Sequence, residues 1–193
     1  GAVLPFEIIY LHDGRGFSLG VAGLIVGTVT GLAVIAAPVS GSVIDRVGAR
    51  ATAAGAGLAL AAGYGGLAFA RAPWQAFIAA AAAGIGNGAL LPSQSALLAW
   101  LVPPELRHRS SAVSRVAGNI GVGLGGAIGG LVAAYGLAGF VALFLANALT
   151  YVLYVVILVV AVHEDAPSEP VAGGYRVLIR DRPFIRLAVT NIA

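Results

Sequence analysis

The chain has 193 residues, of which 59% are hydrophobic and 10% are charged, and its formal net charge is +3. A soluble domain is about 45–50% apolar and about 25% charged, and a soluble fold of this size could not hide so much apolar surface. The composition therefore excludes a soluble protein and predicts an all-α membrane protein, a polytopic bundle of transmembrane helices. We expect no metal site and no cofactor, because the sequence has no cysteine and no cluster of metal-ligating residues.

Long apolar runs follow one another along the chain, separated by short polar segments. A bilayer core of about 30 Å needs roughly 20 helical residues, and backbone groups in lipid must be hydrogen-bonded internally, so such runs form helices. Runs 1–11 and 184–193 are shorter, and we expect them to be parts of two further helices of a longer protein. The complete predicted spans are 19–40, 51–70, 74–102, 112–135 and 140–162.

The 11 basic residues, all arginine, predict the orientation of the chain. They lie at the ends of apolar runs without interleaved aromatic residues, so nucleic acid is not expected as a partner. Loops alternate between the two sides, and one side receives nine arginines while the other receives only Arg15 and Arg71. By the positive-inside rule, loops 41–50 and 103–111 and linker 163–182 are cytoplasmic. We expect a multi-pass protein of the plasma membrane; the arginines after 175 set this topology or, alternatively, bind anionic lipid.

The most specific motif is the segment GSVIDRVGAR between the second and third predicted helices. Gly41 and Gly48 allow close helix approach and a sharp turn, while Asp45, Arg46 and Arg50 place charge at the membrane edge. The segment resembles the signature G-x-x-x-D-R-x-G-x-R of the major facilitator superfamily, in the loop where that family carries it. The resemblance implies that Asp45 latches the outward-facing state by bridging to a helix N-terminus of the other half. The alternative is an ordinary basic loop in which the acid pairs with an arginine.

The resemblance also implies a domain organisation. Residues 1–162 would form the amino-terminal bundle from the end of helix 1 to helix 6, and 163–183 a cytoplasmic linker. Residues 184–193 would begin helix 7 of a carboxy-terminal six-helix half that the sequence does not contain. Substrate would bind between the halves, and access would alternate by rocking of one half against the other.

A second glycine-rich segment, GVGLGGAIGG, lies in the fifth predicted helix. It resembles the antiporter motif G-x-x-x-G-P-x-x-G-G of drug/proton exchangers in the same family, with glycine at the proline position. Small residues four apart also let helices pack closely in lipid, so a plain packing face is the alternative. A buried arginine usual in the family's fourth helix is replaced by Ala80, which leaves the coupling mechanism open. The motif residues are Gly121, Gly125, Gly126, Gly129 and Gly130.

Glu7 is the one ionisable residue well inside an apolar run. Carboxyl groups inside membranes are costly and usually functional. Glu7 is therefore our candidate proton site or cationic-substrate site. The alternative is a hydrated residue near the outer interface, close to His12 and Asp13.

Carboxamide side chains form the remaining candidate site. Asn87 and Gln94 are seven residues apart on the fourth predicted helix and so share one face. The resemblance places helices one, two, four and five around a central cavity, which Asn87, Gln94, Ser95 and Asn119 would line. The alternative is that these side chains only form interhelical hydrogen bonds.

These observations predict a secondary active transporter that exports small hydrophobic compounds in exchange for protons. Its expected partners are a small-molecule substrate, a coupling proton, the lipid bilayer and the carboxy-terminal half. No catalytic residues are expected, because the loops are short and carry no metalloprotease, nucleophile-elbow or phosphate-loop motif. Alternatives are an uptake carrier for a metabolite, a polytopic membrane enzyme and a non-transporting sensor.

Overall fold

The computed structural model describes residue 3 and residues 6–162, so the predicted linker 163–183 and segment 184–193 lie outside the described residues. Within the described part, the chain forms helices and no strand. A first helix passes directly into a π-helical turn, Tyr10–Gly14, and five long helices follow. The helices are α1 (Glu7–Ile9), α2 (Leu19–Val47), α3 (Ala49–Phe69), α4 (Pro73–Leu101), α5 (Pro104–Ala133) and α6 (Leu137–Ala161).

All five long helices have the length and hydropathy needed to cross a membrane. They correspond one for one to the five predicted spans, which confirms the prediction of an all-α membrane helix bundle. We call the end that contains the turns 15–18, 70–72 and 134–136 the arginine-poor end. The opposite end, with Gly48 and residues 102–103, is the arginine-rich end.

The predicted charged turn 41–50 is wrong in its extent, because α2 remains helical as far as Val47. Only Gly48 leaves the helix, with φ +91°, a region that side-chain-bearing residues rarely adopt. Its amide donates to Ile44 and its carbonyl accepts from the amide of Thr52, so α3 begins at once. Polar residues that follow an apolar run can therefore extend a helix beyond the hydrocarbon layer, and a turn needs a residue such as this glycine.

Two other predicted polar segments are also helical. The predicted loop 103–111 is the beginning of α5, which starts at Pro104 because proline fits the first position of a helix. The polar segment 12–16, which follows the apolar run 1–11 and whose polar residues indicate a turn, is π-helical as far as Gly14. Both differences arise because polarity marks the membrane boundary, whereas helix ends depend on local backbone hydrogen bonding.

The centre of the bundle is α4, which packs between α2 and α3, while α3 also packs on α6. Glycines let the backbones approach closely: a Cβ atom on Gly84 would lie 2.6 Å from the carbonyl oxygen of Val29 in α2. A Cβ atom on Gly86 would lie 2.7 Å from the carbonyl oxygen of Ala56 in α3. Close packing of small residues is the usual basis of helix association in lipid, where no hydrophobic effect drives it.

Candidate functional site

Glu7 lies at the start of α1 and is 1% exposed. Neither carboxylate oxygen has a hydrogen-bond partner among the described residues. An unpaired carboxyl group away from water carries a large desolvation cost when it is ionised. The role of Glu7 as a proton site or cationic-substrate site stays a prediction, and its 1% exposure differs from the hydrated position of the alternative.

Aromatic residues of α3 and α6 lie next to this end of the chain. The ring of Phe144 is 4.5 Å from that of Tyr10 and 6.3 Å from that of Tyr64, measured between centroids. Tyr64 also stacks on Tyr151, with centroids 6.0 Å apart and planes 10° apart. Tyr10 lies three residues after Glu7 on the same helix face, so Phe144 connects this face to Tyr64. These rings form an aromatic group beside the helical turn that carries the buried Glu7.

One predicted carboxamide joins this group. The Asn87 side-chain amide donates to the Tyr64 hydroxyl oxygen at 3.3 Å, which links α4 to α3. We call Glu7, Tyr64, Asn87 and Tyr151 the Glu7 cluster. Sequence reasoning missed Tyr64, although an aromatic hydroxyl within a helix of alanine and glycine signals a buried polar tip that needs a partner.

Gln94 and Asn119 do not join the Glu7 cluster. Gln94 lines a separate cavity of about 460 Å³ between α4, α5 and α6. Tyr151, a member of the Glu7 cluster, also lines this cavity. Asn147 also lines the cavity, and its side-chain nitrogen is buried without a partner among the described residues. Asn119 is exposed and is not part of the cavity wall. The predicted polar face of α4 is therefore divided between two sites.

The glycines of the antiporter-like motif have few neighbours. A Cβ atom on Gly121 or Gly126 would meet nothing within 4 Å, and one on Gly130 would meet the Phe6 ring at 3.7 Å. Gly121 and Gly125 line the cavity, whereas Gly129 is buried. The role of this motif stays a prediction.

One residue of the signature motif at the arginine-rich end, Arg50, is held by a hydrogen bond within the described residues. Arg50 donates to the carbonyl oxygen of Val159, in the last turn of α6, at 2.6 Å. A cation at a helix C-terminus is favoured by the helix dipole. Asp45 and Arg46 are exposed and Gly41 is half-buried, so the structure leaves the acid accessible at the surface. The latch role of Asp45 remains a prediction.

Among the described residues, no group of three or more histidine, cysteine, aspartate or glutamate side chains is arranged to hold a metal. The candidate site therefore consists of the buried Glu7 carboxyl and the hydrogen-bonded pair of Tyr64 and Asn87.

A polytopic bundle of five apolar helices, with a carboxyl buried inside it and charged residues at the helix ends around Gly48, is compatible with a membrane transport protein. A family model described as Major Facilitator Superfamily matches residues 1–192. The chain thus belongs to the major facilitator superfamily, a family of membrane transporters, as its motifs predicted.

Curated relatives are multidrug resistance proteins. The chain is 24% identical over 191 residues to the Multidrug resistance protein MdtH of Aeromonas hydrophila, covering 97% of this chain and 47% of the relative. It is 34% identical over 113 residues to MdtH of Cronobacter sakazakii, covering 55% of this chain and 28% of the relative. MdtH of Aeromonas salmonicida is 31% identical over 111 residues, 55% of this chain and 27% of the relative. The chain thus spans about half the length of these relatives or less.

Proposed function

We propose that the full-length protein is a secondary active transporter of the plasma membrane, which exports small hydrophobic compounds in exchange for protons by alternating access. The observation that carries the proposal is the buried Glu7 carboxyl, whose two oxygens have no partner among the described residues. Membership of a transporter family and the multidrug resistance relatives support the same function.

The chemistry of a buried carboxyl explains the exchange. A protonated carboxyl is neutral and can stay in an apolar site, whereas the ionised form needs water or a cation beside it. Glu7 can therefore lose its proton only when the site opens to water or when a cationic group binds beside the carboxylate. A proton and a substrate that use one carboxyl in turn cannot both occupy it, which is the requirement for antiport.

Orientation and the second half complete the proposal. The arginine-rich end faces the cytoplasm, as the positive-inside rule requires. Asp45 is the exposed acid of the signature motif at that end, and in the proposal it contacts the carboxy-terminal half when the protein faces outward. Substrate then binds between the two halves, and rocking of the halves exposes it to one side at a time.

The test uses everted membrane vesicles that contain the full-length parent protein. The vesicle interior is acidified by respiration, an acridine-type dye reports its pH, and candidate drugs and metabolites are added in turn. We expect compound-dependent proton release that Glu7→Gln abolishes, because glutamine cannot bind or release a proton. The matched control is Glu105→Gln, which changes an exposed carboxylate in the first turn of α5 and should preserve release.

Two outcomes would contradict the proposal. Normal proton release by Glu7→Gln would remove this residue from the coupling. No response of the inserted parent protein to any compound, together with accumulation of a labelled metabolite in whole cells, would indicate an uptake carrier instead.

A further inference from the structure

The chain between α1 and α2 has an unusual backbone. Residues Tyr10–Gly14 are π-helical, and the amide of Arg15 donates to the carbonyl of Tyr10, five residues earlier, at 3.0 Å. Such a widened turn brings side chains five positions apart onto the same side. Gly14 leaves the space for it, because a Cβ atom there would lie 3.3 Å from the Tyr10 ring. Single π-helical turns occur frequently at functional sites.

The widened turn sets the Arg15 guanidinium against Tyr10. Its Nε donates to the Tyr10 hydroxyl oxygen at 2.6 Å, and its Nη2 donates to the carbonyl oxygen of Ala68. The Tyr10 hydroxyl in turn donates to the carbonyl oxygen of Leu67 at 2.8 Å. The guanidinium carbon is also 5.2 Å from the centre of the Tyr10 ring, within the range of a cation–π interaction. We call Tyr10, Arg15 and the carbonyls of Leu67 and Ala68 the arginine clamp.

The clamp joins the π-helical turn that follows α1 to the end of α3. Its two carbonyls belong to the last turn of α3, which carries the negative end of the helix dipole, and the Leu67 carbonyl also accepts from the amide of Ala70. Charge-assisted hydrogen bonds to such carbonyls are stronger than neutral ones. The second arginine at this end, Arg71, is exposed and has no part in the clamp.

Glu7 and Tyr10 lie three residues apart, so they share one face of the first helical turn. Tyr10 is fully buried and Glu7 is 1% exposed. We propose that Arg15 is a positioning residue, which locks Tyr10 onto α3 and thereby keeps the Glu7 site shielded from solvent at the arginine-poor end. The shielding is a property of the packing, whereas its use in transport and the outward orientation of the arginine-poor end rest on the proposed function.

The absence of cysteine from this chain provides a direct test. Glu7→Cys is introduced into a cysteine-free version of the full-length parent protein in right-side-out vesicles, and its reaction with a membrane-impermeant maleimide is timed. We expect Arg15→Gln to accelerate the reaction by about tenfold to a hundredfold, as loss of hydrogen bonds to a charged group implies. Tyr10→Phe should act in the same direction, and the matched control Arg71→Gln should leave the rate unchanged.

A second labelling site separates positioning from general loosening. Ala80→Cys places the thiol in the core of α4, at a position that is fully buried, and it should stay unreactive in the Arg15→Gln background. Arg15→Lys keeps the charge but loses the planar fork that contacts two acceptors, so an intermediate rate at residue 7 is expected. If Arg15→Gln does not insert, Arg15→Lys and Tyr10→Phe decide the question.

An unchanged rate at residue 7 in the inserted Arg15 and Tyr10 variants would overturn the proposal. So would equal acceleration by Arg71→Gln or at residue 80. Labelling requires no transport, so these results are independent of the proton-release assay. Normal proton release by Glu7→Gln would contradict the proposed function without affecting the clamp. Unchanged labelling at residue 7 would contradict the clamp without affecting the proposed function.

Discussion

In α4, Gly84, Gly86 and Gly88 are buried, and each lies against the backbone of α2 or α3. In α5, Gly118 and Gly121 have open space where a Cβ atom would be. Both helices carry glycines at short intervals, yet only those of α4 bring helices together within the described part of the chain. Glycine spacing therefore shows that a close approach is allowed, and the presence of a neighbouring helix decides whether it occurs.

The largest difference between the two helices should appear in alanine variants. Gly88→Ala places a Cβ atom against the carbonyl of Ala33 and the side chain of Ala36, and we expect the free energy of unfolding to fall by about 1–3 kcal/mol. Gly121→Ala meets no neighbour and restricts the unfolded chain, so it should raise that free energy by up to about 1 kcal/mol. Unfolding of the purified full-length protein by SDS titration measures both.

The opposite signs are the critical part of this prediction. Destabilisation of similar size by both variants would mean that α5 packs closely on a segment outside the described residues. Stabilisation by both would mean that α2 and α4 are further apart than the structure has them.

A smaller effect is expected for the two asparagines that accompany these glycines. Asn87 donates to Tyr64 and sits between two buried glycines, whereas Asn119 is exposed. Asn87→Leu should lower the free energy of unfolding by about 0.6–1.7 kcal/mol, between the average and the maximum found for hydrogen bonds within a membrane protein. Asn119→Leu should change it by less than about 0.5 kcal/mol. The same SDS titration compares them, and equal losses would show that Asn119 has a partner of its own.

The smallest effect on stability is expected at Asp45. Its proposed partner is not among the described residues, and neither is any helix that would cover Gly121. Asp45→Asn should change the free energy of unfolding by less than about 0.5 kcal/mol, because the side chain is exposed. It should nevertheless slow transport about tenfold, the effect of weakening one interaction of a charged group by about 1.4 kcal/mol. Dye-based proton release in everted vesicles measures the rate, with Arg71→Gln as the control. Undiminished transport would refute the latch.

Hydropathy was sufficient to predict the five spans, since a bilayer imposes length and apolarity on any helix that crosses it. It could not locate the helix ends, because α2 and α5 extend into polar sequence until Gly48 or Pro104 interrupts the hydrogen bonding. The burial of Glu7 agreed with its place in an apolar run. The residues of its surroundings could not be predicted, because Tyr64 is 57 positions away in the sequence and is brought to this part of the bundle by the packing of α3 on α4 and α6.

The π-helical turn at Tyr10–Gly14 sets the direction in which the Arg15 side chain points. Each residue of an α-helix rotates the chain by about 100°, so in a regular α-helix a residue five positions after Tyr10 would point about 140° away from it. Removal of one residue between Tyr10 and Arg15 would let an α-helical turn replace the wide one, and the arginine, then four positions from Tyr10, would stay within about 40° of the same side. The wide turn is therefore what brings a guanidinium at this position onto the Tyr10 hydroxyl and the end of α3, and substitutions at exposed His12 and Asp13, which leave the length of the turn unchanged, should preserve the contact.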